Sequence, residues 1–145
     1  MDFETLAKKR QQAIADHQAG RLDQAAEVYR DLLEYEGYED QFEGQTPDAL
    51  ALRQFFSTVH NNLGAMDLAA GRYKPARAAF RNALDLAPGH VEANTNLGLA
   101  HLYSGNPTSA IDCFLLALEV DPGYLTARFS LAKAFNMTGQ HEKAV

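Results

Sequence analysis

The chain has 145 residues, 46% hydrophobic and 22% charged, and 13 basic against 19 acidic side chains leave a formal net charge of −6. That composition folds readily, and the length suits one compact domain or a short repeat array burying roughly 70% of its unfolded surface. An acidic balance argues against a general nucleic-acid or anionic-membrane surface, which needs clustered Lys and Arg.

Cys113 is the single cysteine, so no internal disulfide forms and a reducing compartment is the simpler expectation. No apolar run is long enough to span a membrane, and the opening MDFETLAKKRQQ has no apolar signal core. The sequence therefore points to a cytoplasmic protein without a membrane span.

In chain order, TLAKKRQQAIADHQAG predicts a first helix ending at Gly20, and Ala25 and Tyr29 mark a second. The stretch 34–45 carries Glu34, Glu36, Glu39, Asp40 and Glu43 with two glycines, so its middle reads as a loop. Tyr35, Tyr38 and Phe42 interleave with those acids, a pattern that could attract a basic partner. Thr46-Pro47-Asp48 reads as a helix start. From it Leu52, Phe55, Phe56, Val59, Leu63 and Met66 continue one helical stripe, which predicts a long helix from about Pro47 to Ala70. After Gly71 a helix carries Pro75 in its opening turn, then Phe80, Ala83 and Leu84, and stops at Pro88-Gly89. The next pair turns at Gly105, restarts with Asn106 as N-cap and Pro107 as the first helical residue, and stops at Pro122-Gly123. A seventh helix covers 125–138 up to Gly139, and the expectation there is that Leu131, Ala134 and Phe135 lack cover. Either the array continues in a longer protein or another surface completes that last unit.

One period of 34 residues organises the whole. It relates Leu63 to Leu97 and Leu131, Gly64 to Gly98 and Ala132, and Gly71 to Gly105 and Gly139. It also relates Ala76 to Ala110 and Ala144, Phe80 to Phe114, Ala83 to Ala117, and Pro88 to Pro122. Small residues stand where helices approach closely, and Leu and Phe fill the space around them. These marks resemble the tetratricopeptide repeat: Leu-Gly early in the first helix, Ala and an aromatic in the second, then Pro. His60 and Asn94 stand where that family places Trp, and Asp67 and His101 where it places Tyr.

The resemblance implies an all-α, right-handed superhelical solenoid of antiparallel helix pairs, seven helices in about 3.5 repeats. The units would be 6–39, 57–90, 91–124 and an incomplete 125–145, with 40–56 inserted. First helices in that family line a concave face. By the same register the face would hold Ala7, Arg10, Ile14, His17 and Gln18 from unit one, and Thr58, Asn61, Ala65 and Leu68 from unit two. Unit three would add Glu92, Thr95, Leu99, Leu102 and Tyr103, and unit four Thr126, Phe129, Lys133, Asn136 and Met137. Asn62 and Asn96 recur one repeat apart and offer both donor and acceptor to a peptide backbone, or bond a neighbouring helix instead. The peptide-binding expectation therefore names Arg10, Asn61, Asn62, Thr95, Asn96, Leu99, Leu102, Tyr103, Phe129 and Lys133.

Members that grip the C-terminal carboxylates of heat-shock chaperones need several cations here. In one register Arg10 replaces the first Lys and Asn62 fits, but Ile14 replaces an Asn and Glu92 with Asn96 replace the Lys and Arg. In the other, Asn61, Ala65, Asn96, Thr126 and Ser130 offer no cation, which disfavours that activity. The face instead becomes apolar toward the C-terminus, through Leu68, Leu99, Leu102, Tyr103, Phe129 and Met137.

Nothing in the sequence supports catalysis. His17, His60, His90, His101 and His141 form no metal-ligand spacing, and no cofactor motif is present. Glu119 and Asp121 read as solvated, and Cys113 as a small buried hydrophobe. The expectation is a non-catalytic scaffold that binds a protein or peptide. Its alternatives are an arm that positions substrate for a glycosyltransferase, sulfotransferase or methyltransferase domain, or a homo-oligomer built through the C-terminal helix.

Overall fold

The computed structural model describes residues 2–36 and 49–139. Within them seven α-helices succeed one another: α1 (Phe3–Gln18), α2 (Leu22–Leu33), α3 (Ala49–Ala69), α4 (Tyr73–Leu86), α5 (Val91–Tyr103), α6 (Pro107–Val120) and α7 (Leu125–Met137). No strand occurs among the described residues. Pro47 and the acidic stretch from residue 37 onward lie outside them.

Local chemistry sets the helix ends. Asp2 caps α1 by accepting the Thr5 N–H at 2.8 Å. The glycines at the ends of first helices, Gly20, Gly71, Gly105 and Gly139, have φ between 77° and 83°. Only glycine adopts that left-handed conformation without strain. Just beyond three of them, the N–H groups of Arg21, Arg72 and Asn106 reach back to the carbonyls of Asp16, Asp67 and His101 at 2.8, 2.8 and 2.9 Å. Each turn thus pairs carbonyls that the helix end leaves without partners. Asn106 precedes α6 as expected, but its side chain makes no capping bond, and Pro107 at the start leaves one fewer N–H to cap.

Helices pair as α1 with α2, α3 with α4 and α5 with α6. Successive pairs then stack through α2–α3, α4–α5 and α6–α7, and α5 also touches α3 and α7. The crossings are tight. A Cβ placed on Gly64 would lie 2.6 Å from the Phe80 ring, and one on Gly98 would lie 2.5 Å from the Phe114 ring. The repeated Gly and Phe are therefore two halves of one contact.

Three apolar clusters run along the array. The first gathers Leu6, Ala13, Tyr29, Leu32, Phe55 and Val59, the second Ala76, Phe80, Leu97 and Ala100, and the third Leu102, Ala110, Phe114 and Ala134. The third corrects an expectation about α7. Ala134 is fully buried, and Leu131 packs on the same cluster, because α6 covers that side of α7. The apolar side chains left in solvent are others: Leu115, Leu116 and Val120 on α6, and Leu125, Phe129 and Met137 on α7.

Candidate functional site

The first helices α3, α5 and α7 bring equivalent register positions side by side, but not to equal exposure. Asn61 and Thr95 are only 1% exposed, whereas Phe129, at the same place in the next unit, is 73% exposed. Leu102 is 3% exposed. The register puts Asn61, Thr95 and Leu102 on the open face. The structure corrects this, because the superhelix closes tightly enough for the next first helix to pack across inner positions.

The asparagines are used internally. Asn96 Nδ2 donates to Asn61 Oδ1 at 3.0 Å and so ties α5 to α3. Asn62 Nδ2 donates to the Tyr29 hydroxyl at 3.2 Å and ties α3 to α2. Thr95 returns its hydroxyl to the Val91 carbonyl at 2.9 Å. Arg10 is half-buried, its guanidinium 4.5 Å from the centre of the Phe55 ring, and burial lowers its pKa. Its Nε, buried, has no hydrogen-bond partner.

The C-terminal half of the face stays open. A recess of about 620 Å³ lies between α3, α5 and the start of α4, lined by Ala65, Leu68, Ala69, Gly71, Tyr73, Leu99 and Tyr103. Tyr73 and Tyr103 form its aromatic wall, with ring centroids 6.2 Å apart. Tyr103 is 50% exposed, and Lys133 of α7 holds its Nζ 5.9 Å from that ring centre. Leu99, Tyr103, Phe129 and Lys133 from the expected set thus belong to this half. Tyr73 is an addition: it opens a second helix, which the first-helix register does not address.

The polar chemistry elsewhere is structural. His60, in the place of the family's Trp, meets Glu36 at 2.8 Å across α3 and the turn after α2. Arg21–Asp16 and Arg72–Asp67 form matching clasps over two glycine turns, with guanidinium-to-carboxylate approaches of 2.8 and 2.9 Å. Asp67 and Arg72 come 51 residues after Asp16 and Arg21, one 34-residue period plus the 17 residues 40–56, so this signal was readable. Burial pushes the Cys113 thiol up to about 11, with the Asp112 carboxylate adding to it, which leaves little thiolate for nucleophilic work. His101 is pulled down by burial and by the charges of Arg81 and Arg77. Among the described residues no group of three or more His, Cys, Asp or Glu could hold a metal ion, and no helix is long and apolar enough to cross a membrane.

Residues 62–124 and 95–145 match the family model described as Tetratricopeptide repeat, so more than half the chain is covered. The chain belongs to the tetratricopeptide-repeat family. Solved structures agree on the fold of this tetratricopeptide array. The first TPR of Spaghetti (RPAP3), bound to the HSP90 peptide SRMEEVD, is 14% identical, covers 96% of this chain and 97% of that chain, and has a TM-score of 0.78. The OM64 TPR domain of Arabidopsis is 16% identical over 94% of this chain and 98% of that one, with a TM-score of 0.76. MamA 41-end from Desulfovibrio magneticus RS-1 is 21% identical over 96% of this chain and 69% of that one, with a TM-score of 0.74. No curated protein matches the chain.

Proposed function

We propose that this tetratricopeptide array is a non-catalytic scaffold that binds a protein segment in the recess between α3 and α5. The segment is apolar, an amphipathic helix or an extended peptide. The observation that carries this is the open apolar recess itself, with Leu68, Leu99, Tyr73 and Tyr103 around it and Phe129 exposed on α7. Contiguous exposed apolar surface of this kind is costly to leave in water and suits side chains from a partner.

One structural neighbour is bound to an HSP90 peptide and another to the HSP70 peptide SGPTIEEVD. Carboxylate-rich termini of that sort suit this chain poorly. Of the clamp positions only Arg10 is a cation, and it is stacked on Phe55, while Glu92 adds a repelling charge. Apolar contact rather than multiple charge pairing is therefore the basis of recognition.

The test is a peptide-display selection against the chain, then affinity measurements on Leu99→Glu/Phe129→Glu. Arg30→Glu on the exposed side of α2 serves as the control. Peptides enriched on the parent chain should lose binding to the double variant and keep it with the control. Equal affinity for all three would place recognition elsewhere.

A further inference from the structure

On its solvent side α6 differs from the other second helices. Asp112, Leu115, Leu116, Glu119 and Val120 follow one another at i, i+3, i+4, i+7 and i+8, so they share one face of the helix. All five are exposed, and Leu115, Leu116 and Val120 are 45%, 50% and 54% open to water. The matching places hold Ala78, Arg81, Asn82, Asp85 and Leu86 on α4, and Glu27, Arg30, Asp31, Glu34 and Tyr35 on α2. Two leucines thus stand where the earlier units put Arg30 with Asp31 and Arg81 with Asn82.

Stacking of helix pairs does not account for the change. The pair α3 and α4 follows α2, and the pair α5 and α6 follows α4. Yet Glu27, Arg30, Asp31 and Glu34 remain exposed, and so do Arg81, Asn82 and Asp85. A further helix pair laid after α7 would leave the α6 stripe open in the same way. None of its residues lines the recess between α3 and α5 either. Large apolar side chains grouped at places that the other repeats give to water mark a contact surface.

Charge selects what covers it. Residues 82–127, all described, carry Asp85, Glu92, Asp112, Glu119 and Asp121 and neither Lys nor Arg. Asp112 and Glu119 bracket the two leucines and lie two turns apart, about 10 Å along the helix. The charge of Arg81 reaches α6 at Cys113, a buried residue off this stripe. A second copy of α6 laid on the face would bring the same acids to it and be repelled. We propose that α6 docks an amphipathic helix of a partner protein, with Lys or Arg two turns apart on either side of its apolar row. Leu115, Leu116 and Val120 take the apolar side chains, and Asp112 and Glu119 take the cations, as flanking charges do between paired helices. The proposal does not rest on the recess and names a different face and a different partner chemistry.

The experiment titrates the isotopically labelled chain with two helical peptides and tracks backbone amide shifts. One is acetyl-AKAQLLAAKLQLLAQKLA-amide, and the other has every Lys replaced by Glu. Saturable shifts at Asp112, Leu116 and Glu119 are expected with the Lys peptide. Affinity for the Glu peptide should be about tenfold lower, the scale of two exposed ion pairs. Asp112→Lys/Glu119→Lys, at two exposed positions, should reverse that order, and Leu115→Gln/Leu116→Gln should abolish the shifts. Equal affinity for both peptides, an order that the charge swap leaves unchanged, or binding that survives loss of the leucines would overturn the proposal. So would shifts on α6 that grow with the concentration of the chain alone, which would give the face to a second copy. Shifts confined to Leu68, Leu99 and Tyr103 would overturn it and leave the groove reading standing. No shift at either place would sink the α6 surface alone, since the groove has its own selection test.

Discussion

Asn61, Thr95 and Phe129 hold the same place in three successive units, yet the first two are sealed and the third stands in solvent. The inner half of the face is closed by side-chain bonds: Asn96 to Asn61, Asn62 to Tyr29, Arg10 over Phe55. The half formed by α5 and α7 keeps aromatic and aliphatic side chains accessible around an open recess. A register position is therefore not a role. The helix stacked against it decides whether a residue holds two helices together or faces a guest, and residues selected for one task are poorly suited to the other.

The comparison can be attacked most strongly through the inner packing. Phe114→Ala removes a fully buried ring that fills the space above Gly98, and should cost about 3–5 kcal/mol in urea unfolding. Gly98→Ala forces a methyl into that ring, so a loss of about 1–3 kcal/mol is expected, partly offset by the better helix propensity of Ala. Asn61→Ala removes a buried amide and strands its part-buried partner Asn96, which should cost about 1–3 kcal/mol, whereas Phe129→Ser, at the same register farther along the array, should change stability by about 0.5 kcal/mol or less. Finding the two substitutions equally costly would erase the distinction between the halves. The smallest effect is on pH dependence. Burial lowers the pKa of His90, so the folded chain binds this proton less readily than the unfolded chain does. Stability from this group is present above the ordinary histidine value and is lost as pH falls toward the depressed one. A modest drop in Tm from about pH 7.5 to about pH 5.5 is expected, and His90→Gln should flatten it.

Much of the fold was legible because it is periodic. Gly98 and Phe114 recur one period after Gly64 and Phe80, and a contact made twice writes itself twice in the sequence. The extended α3 was equally readable, since Leu52, Phe55, Phe56 and Val59 continue the helical stripe and are buried in one cluster. Exposure was not legible in the same way. How closely α5 approaches α3 depends on the curvature of the whole stack, so nothing at Asn61 or Thr95 announced that each would be enclosed. The same holds for α7, where Leu131 and Ala134, expected to lack cover, turn toward α6.

The stacking carries a mechanical corollary. The principal contacts join helices that are adjacent in the chain, or first helices one unit apart, so a disturbance at one joint fades before it reaches the far end. A segment bound across α3 and α5, as proposed, would act as a splint over a single hinge. Amide exchange should slow there and stay unchanged in α1 and α2, which would let the array hold a cargo at one end while its other end keeps its own pace of motion.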